Sequence, residues 1–342
     1  MATSTSLCTK ADLLKVLAGR SSSVPQLREA LLELRSKKPA LPEFRVAASA
    51  LSRSHLWKDA LSVLDDAKRA QIDPDVVVYS ASMSACSRAQ EWRKALELFS
   101  EALGSKLQPN VVLYNSAVNA CEKGRRWERA VQLLRDLGSA GLEPSVVTYG
   151  SVLSALEKSE QWQRALGLLE EMLSVRSLEP SIIAFNSAIS ACEKSQQWEM
   201  SLWLLSDAAS RQLAPSVVTF GAVLSACEKG EQWERALDIF SNMRQYDVIP
   251  NVITFNALIS AFEKGQQWEL ALAALSALRS CGLSPDEVTI SAALSACEKG
   301  GQWERSLALL CGMEKEGLRA DVVTFNAAIS ACNAGRRWEL AL

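Results

Sequence analysis

A beat of tryptophans constrains this chain more than any other feature. Trp57, Trp92, Trp127, Trp162, Trp198, Trp233, Trp268, Trp303 and Trp338 follow one another at intervals of 35 residues, with one interval of 36 between Trp162 and Trp198. The surrounding residues repeat with them. Val111–Ser145 reads VVLYNSAVNACEKGRRWERAVQLLRDLGSAGLEPS, and edited copies open at Val146 (VVTYGSVLSALEKSEQW), Val217 (VVTFGAVLSACEKGEQW) and Val252 (VITFNALISAFEKGQQW). Self-similarity at a fixed period of this size marks a solenoid, whose units bury their apolar faces only against their neighbours. By length alone, 342 residues would suggest two ordinary domains. The repeat makes an array the better expectation.

Counting from Leu41 gives eight full repeats, 41–75, 76–110, 111–145, 146–181, 182–216, 217–251, 252–286 and 287–321, and a partial ninth, 322–342. The ninth stops just after its tryptophan, so a fragment or a missing C-terminal cap is expected. Residues 1–40 fit the repeat poorly. Pro25 to Arg35 reads as an amphipathic helix with Leu27, Leu31 and Leu34 on one face, suited to capping an exposed apolar end. The stretch before it, MATSTSLCTKADLLKVLAGRSSS, is rich in Ser and Thr, carries Lys10, Lys15 and Arg20, and has Asp12 as its one acid. It is similar to an organellar transit peptide, with a chloroplast ranked ahead of a mitochondrion. A degenerate capping helix is the competing reading.

Each repeat divides into two helices. In 76–110, Val77 to Ala89 reads as the first, with Val78, Ser82, Ala85 and Cys86 at three- and four-residue spacing. The second begins near Trp92 and runs through Leu96 and Phe99 to about Leu103. Between them stand strings such as Gly124-Arg125-Arg126 and Gly230-Glu231-Gln232, where the glycine suits a left-handed cap. A glycine turn (Gly141, Gly282, Gly317) and a proline (Pro74, Pro109, Pro144, Pro180, Pro215, Pro250, Pro285) close the repeat. The tryptophans are expected in the core, where each Trp→Ala would cost roughly 3–5 kcal/mol. Trp203, off the beat, is assigned to packing as well.

Cysteine usage argues against disulfides and metal. Cys86, Cys121, Cys192, Cys227, Cys297 and Cys332 share one slot that other repeats fill with Leu51, Leu156 and Phe262. Cysteine alternating with Leu and Phe is a small buried hydrophobe. With no Cys-x-x-Cys and one histidine, His55, neither a metal site nor a cofactor is expected. No apolar run is long enough to span a membrane. A net charge of −2 gives no global electrostatic footprint of a nucleic-acid binder. No catalytic constellation appears: neither a zinc-deaminase signature nor a phosphate loop is present, so no enzyme and no small-molecule substrate are expected.

A period of 35 with two helices departs from tetratricopeptide, ankyrin and HEAT units. The string Pro-[Asp/Asn/Ser]-Val-Val-Thr-[Tyr/Phe]-Asn-x-x-[Ile/Leu]-Ser-Ala-Cys resembles the pentatricopeptide repeat family. It stands here as Pro109-Asn-Val-Val-Leu-Tyr-Asn, Pro250-Asn-Val-Ile-Thr-Phe-Asn and Ala320-Asp-Val-Val-Thr-Phe-Asn. The resemblance covers about 41–342, and the uniform length is similar to the family's P-type arrays. It implies an all-α, right-handed superhelical solenoid of helix-turn-helix repeats that reads single-stranded RNA at one base per repeat.

The resemblance also implies site residues. The fifth and last positions would read the base: Arg45/Asp75, Ser80/Asn110, Asn115/Ser145, Gly150/Ser181, Asn186/Ser216, Gly221/Asn251, Asn256/Asp286 and Ser291/Asp321, with Asn326 unpaired. The second-position aliphatics Val77, Val112, Val147, Ile183, Val218, Ile253, Val288 and Val323 would sandwich it. By the family's pairing tendencies the target would read 5′-N-A-Y-N-Y-N-U-G-Y-3′. Gly150, Gly221 and Arg45 depart from the usual reading residues, and glycine offers no side-chain partner. Asp, Asn and Ser before a helix are also ordinary N-caps, and both roles can coexist. A cation recurs at the thirteenth position: Arg53, Arg88, Lys123, Lys158, Lys194, Lys229, Lys264 and Lys299, broken by Ala334. It could complement the helix dipole or contact phosphate. Eight phosphate contacts would set a slope of log K against log salt near −5.6, at about −0.7 each. The implied partner is single-stranded RNA, with other RNA-processing proteins beside it. A scaffold holding a peptide is the alternative.

Overall fold

The computed structural model describes residues 10–19, 23–37, 39–105, 107–174, 178–315, 318–320 and 322–335, and every regular element among them is helical. The chain divides into two compact bodies, Met1–Ser159 and Glu160–Leu342. The N-terminal body holds Lys10–Ala18 and Val24–Ser36, then Leu41–Arg53, Trp57–Arg69, Val76–Arg88, Trp92–Gly104, Val111–Lys123, Trp127–Ser139 and Val146–Lys158. The C-terminal body holds Trp162–Ser174, Ile182–Lys194, Trp198–Ser210, Val217–Lys229, Trp233–Asn242 with a 3-10 extension Met243–Tyr246, Val252–Lys264, Trp268–Ser280, Glu287–Lys299, Trp303–Lys315 and Val322–Ala334. Within each body, first helices pack on first helices and second helices flank them, giving an α-solenoid of helical hairpins.

The helices begin and end where local chemistry says. Asp75, Asn110, Ser145, Ser181, Asn251 and Asp286 are N-caps, each accepting a hydrogen bond from the backbone N–H three residues on. That bond satisfies one of the orphan donors of the first turn. The far end closes by a six-to-one bond: Glu91, Arg126, Gln232 and Gln302 donate their N–H to the carbonyls of Cys86, Cys121, Cys227 and Cys297 at 2.8–2.9 Å. The small residues of the first helices let these helices approach. Ala85, Cys86, Ala120, Cys121, Ala191, Cys192, Ala226 and Cys227 are all fully buried. Burial pushes the Cys121 thiol up to about 12 and those of Cys86, Cys192, Cys227 and Cys297 to about 11.

Three expectations need correction. First, Gly124 and Gly230 are not left-handed; they sit at φ −81° and −84°. The left-handed residue is the next one, Arg125 at 52° and Glu231 at 57°. The glycines serve their neighbours instead. A Cβ on Gly124 would lie 2.7 Å from two atoms of the Trp92 indole, and Gly230, Gly265 and Gly300 face Trp198, Trp233 and Trp268 in the same way. Gly141 and Gly282 do take the left-handed turn, at φ 72° and 75°. Second, the tryptophans are half-buried, not core. Trp92, Trp198, Trp233, Trp268 and Trp303 seat their rings against a glycine of the following repeat, and Arg93 and Arg126 lie 5.2 and 4.9 Å from the Trp92 ring. Third, Trp203 is 55% exposed, so packing does not account for it.

The N-terminal region contains a helix, Lys10–Ala18, as the capping-helix reading of this stretch expects. Leu13 and Leu17 are fully buried, and Arg53 donates to the Leu17 carbonyl at 3.2 Å. Val24–Ser36 buries Leu27, Leu31 and Leu34, as its spacing requires, and Arg28 and Arg35 pair with Asp59 and Asp66 of the next hairpin. Residues 10–36 thus continue the hairpin pattern toward the N-terminus. Residues 1–9, Gly317, Asp321, Trp338 and the Val323 side chain lie outside the described residues.

Candidate nucleic-acid interface

The second-position aliphatics form the most regular exposed feature of the surface. Val77 is 43% exposed, Val112 56%, Val147 67%, Ile183 66%, Val218 64%, Ile253 67% and Val288 59%. One exposed valine is ordinary. The same position left bare from Val76–Arg88 to Val146–Lys158 in one body and from Ile182–Lys194 to Glu287–Lys299 in the other, beside neighbours that are fully buried, makes a row of apolar steps within each body.

At four repeats the fold brings together the fifth and last residues, 30 apart in sequence. The last residue of a repeat is held by capping the next helix, and the fifth residue stands one turn into its own helix. The Asn256 Nδ2 donates to both Asp286 carboxylate oxygens at 3.1 Å. The Arg45 Nε donates to Asp75 Oδ2 at 2.6 Å. Asn115 and Ser145 are joined through a third residue, Thr148, whose hydroxyl donates to Asn115 Oδ1 at 2.7 Å and lies 3.0 Å from the Ser145 hydroxyl. Thr219 joins Asn186 to Ser216 in the same way, at 2.7 and 3.3 Å. Ser291 meets Thr324 at 3.1 Å. The pair Ser80/Asn110 shows no such bridge; the Ser80 hydroxyl donates to the Val77 carbonyl instead. A Cβ on Gly150 would touch nothing, so that position is open.

Burial tends to raise the Asp286 carboxyl, but hydrogen bonds from the Thr289 hydroxyl and backbone, and from Asn256, outweigh it and hold the group below its usual value. Asp286 is therefore an ionised, acceptor-only group at neutral pH, beside a side-chain donor.

The thirteenth-position cations have partners. The Nζ atoms of Lys158, Lys229, Lys264 and Lys299 pair with Glu122, Glu193, Glu228 and Glu263 of the preceding repeat at 2.6, 2.7, 3.0 and 3.0 Å. Arg88 donates to the Ser52 carbonyl at 2.9 Å. Lys123 lies 3.5 Å from its own neighbour Glu122. Lys194 occupies the equivalent place on Ile182–Lys194. Glu122, Glu193, Glu228 and Glu263, each one residue before a lysine in sequence, are thus staples between repeats. The lysines still share a face with the aliphatic row. Eleven residues of helix turn by a whole number of turns plus about 20° and rise ~16 Å, so positions two and thirteen lie at opposite ends of one stripe.

The buried threonines Thr148, Thr219, Thr254, Thr289 and Thr324 were missed as site residues. Their signal was present: a polar side chain recurring at the third position, inside an otherwise apolar string.

Comparison with known proteins agrees with this architecture. Three family models match: the pentatricopeptide repeat domain at residues 62–123 and 203–264, the PPR repeat family at 109–158 and 250–299, and the PPR repeat at 147–176 and 288–318. Together they span 62–176 and 203–318, about two thirds of the chain. The chain belongs to the pentatricopeptide repeat family, with P-type repeats.

No curated protein sequence matches the chain. Among solved structures it is similar to the pentatricopeptide repeat protein PPR10 in complex with an 18-nt psaJ RNA element, at TM-score 0.70 and 17% identity over 97% of this chain and 54% of that one. It is also similar to the crystal structure of the pentatricopeptide repeat protein PPR10 from maize, at TM-score 0.60 and 20% identity over 96% of this chain and 52% of that one. The chain therefore spans about half the length of the structures it matches, and the likeness is one of fold.

Proposed function

We propose that this protein binds single-stranded RNA, one base per repeat, with each base clasped between successive second-position aliphatics and read by the fifth and last residues. The row of exposed aliphatics, with bridged polar pairs beside it at Asn115/Ser145, Asn186/Ser216 and Asn256/Asp286, carries this reading. Apolar steps offer every base a face to pack on, and the polar pair offers its edge a hydrogen-bond partner. The RNA bound to PPR10 supports the same use of this fold.

The chemistry of one repeat gives the most definite assignment. Asp286 can only accept, and Asn256 donates beside it. A base edge with both a donor and an acceptor fits, as uracil has with N3–H and its carbonyls; cytosine lacks the N3 proton. Ser291 with Asp321 is assigned guanine, Ser80 with Asn110 adenine, and Asn115/Ser145 and Asn186/Ser216 pyrimidines. Repeats with Gly150 and Gly221 are permissive spacers, Gly221 being followed by Asn251 and Gly150 by Ser181.

Lys123, Lys158, Lys194, Lys229, Lys264, Lys299 and Arg88 are proposed phosphate contacts that share their charge with cross-repeat partners. Each contact then exchanges one partner for another, which weakens its net effect. The slope of log K against log salt should consequently be shallower than the −5.6 or so expected of eight unencumbered cations.

The protein is proposed to act without chemistry, by occupying RNA: shielding it from exonucleases, remodelling a hairpin or recruiting an enzyme. An organelle, with chloroplast ahead of mitochondrion, is the proposed place, on the strength of the Ser/Thr-rich N-terminal stretch. Imaging a fluorescent fusion tests it, and a purely nuclear or cytosolic signal would refute it.

Selection from a random RNA pool tests the binding. Enrichment of a motif with uracil opposite repeat 252–286, shifted by Asn256→Ser, is the expected result. Enrichment of no motif, or of one that Asn256→Ser leaves unchanged, would overturn the reading.

A further inference from the structure

We propose that Thr148 and Thr219 are specificity-positioning residues: each fixes the amide of the fifth-position asparagine in the preceding repeat so that its NH2 faces outward. The inference rests on the base-reading role proposed above and adds a third residue to those two reading pairs.

The geometry is the same at Thr148 and Thr219, with a variant at Thr289. The N-cap backbone N–H of Ser145, Ser216 and Asp286 donates to the hydroxyl of Thr148, Thr219 and Thr289 at 3.0–3.1 Å. With a donor already pointing at the oxygen, the hydroxyl has its own proton to place. It goes to Asn115 Oδ1 and Asn186 Oδ1 at 2.7 Å; the Thr289 hydroxyl has two acceptors in reach, Asn256 Oδ1 at 2.5 Å and Asp286 Oδ1 at 2.7 Å, and the Asn256 NH2 is itself turned to the Asp286 carboxylate. An amide whose oxygen is held must present its nitrogen elsewhere, since the two ends are fixed to one planar group. The threonines are fully buried, so water does not compete for the bond, and a buried hydroxyl without a partner is costly.

The chain contains its own controls. Thr254 follows Gly221, which has no amide to hold. Its hydroxyl turns back to the Asn251 backbone carbonyl at 2.8 Å. The three repeats that present Asn115, Asn186 and Asn256 and continue into a next described first helix are all followed by threonine. The repeats presenting Arg45, Ser80 and Gly150 are followed by Val78, Leu113 and Ala184 at the same place. A threonine hydroxyl is thus found on the asparagine wherever an asparagine is there to be held.

The consequence for recognition is directional. A freely rotating asparagine could offer a base either a donor or an acceptor. The held asparagine offers a donor only, and the base edge opposite must supply an acceptor. Thr148→Val keeps the shape, removes the hydroxyl, and lets the amide flip.

The test is competitive binding of RNAs carrying each of the four bases opposite repeat 111–145, with wild type, Thr148→Val, Thr148→Ser and Asn115→Ala. Loss of one hydrogen bond's orienting effect should lower discrimination at that position by about three- to tenfold in Thr148→Val. Discrimination at other positions should not change, and Thr148→Ser should restore it. Discrimination that survives in Thr148→Val but vanishes in Asn115→Ala would leave asparagine as a reader and overturn the positioning role. Discrimination untouched in both would overturn base reading itself, and the inference with it.

A gain-of-function arm is independent of any folding defect in the valine variant. Gly221→Asn enters a repeat already followed by Thr254, whose Cγ2 lies 4.0 Å from where the new Cβ would stand; Gly150→Asn enters one followed by Ala184. The first should acquire base discrimination and the second less. Equal gains in the two would also overturn the positioning role.

Discussion

Gly124→Ala should destabilise the protein although its backbone conformation suits alanine. At φ −81° the residue sits in ordinary helical space, so alanine brings no strain and would on entropy alone stabilise by about 0.4–1 kcal/mol. The Cβ, however, would lie 2.7 Å from Trp92 Cγ and Cδ2, and 3.1 Å from Cδ1. Relaxed carbon contacts are about 3.5–4.0 Å, so the indole must retreat by roughly an ångström. That displaces the Arg93 and Arg126 guanidiniums resting on it. Overpacking of this size costs about 1–3 kcal/mol, which leaves a net loss near 1–2 kcal/mol. The chain's own variants show the seat can be remade: Ala89, Ser159 and Ser195 replace the glycine, and Ser195 bonds the Glu160 carbonyl at 3.1 Å. Gly167→Ala is the matched comparison. Gly167 lies inside Trp162–Ser174 with nothing near its missing Cβ, so the same substitution should stabilise by about 0.5–1 kcal/mol. Thermal unfolding followed by far-ultraviolet circular dichroism reads both, at about 2–4 °C per kcal/mol for 150–250 residues. A Gly124→Ala protein as stable as Gly167→Ala would refute the assignment of these glycines as seats for tryptophan.

Thiol labelling at pH 8 should modify the exposed Cys281 and Cys311 quickly and spare Cys86, Cys121, Cys192, Cys227 and Cys297, whose thiols are buried and raised; peptide mass spectrometry reads this, and equal rates at Cys121 and Cys281 would contradict it. Asp286 contributes stability that is present above the ordinary carboxyl value and lost as pH falls through its lowered folded value. Urea midpoints of wild type and Asp286→Asn, which keeps the cap, should differ at pH 6 and converge toward pH 3; a difference that grows on acidification would reverse the sign. Trp203→Ala should cost well under the ~3–5 kcal/mol of a buried aromatic, because over half of the side chain is exposed; a full-size loss on thermal unfolding would show that it packs after all.

The helices were legible in the sequence almost to the residue. Val77 to Ala89 was read where Val76–Arg88 stands, because polar N-caps and the residues after each first helix punctuate the chain at fixed offsets. What stayed hidden depends on residues far away in sequence. Gly124 looked like a cap because its local string resembles one; its reason is an indole 32 residues earlier. Glu and Lys adjoin in sequence at Glu157-Lys158, whereas Lys158 pairs with Glu122 across 36 residues. The reading pairs could be named from family resemblance, but no spacing argument shows that a threonine three places into the next repeat holds the asparagine of the last. Period reveals that repeats stack; only the stacked geometry reveals which side chains meet.

The capping bonds tie specificity to stability at the same atoms. Asp75, Asn110, Ser145, Ser181, Asn251 and Asp286 accept from the first turn of the next helix while facing the proposed base. Good N-caps are few, and Asp, Asn and Ser lead them. The last position of a repeat is thereby confined to a short alphabet before any RNA is considered, and fold stability chooses that alphabet. Asn110 separates the two duties. Asn110→Asp keeps an acceptor for the Leu113 N–H, now 3.0 Å away, and changes the base preference alone; Asn110→Ala removes both and costs about 1 kcal/mol of stability as well. If the aspartate variant were as destabilised as the alanine one, the cap would need the amide itself, and the alphabet would be set by recognition instead.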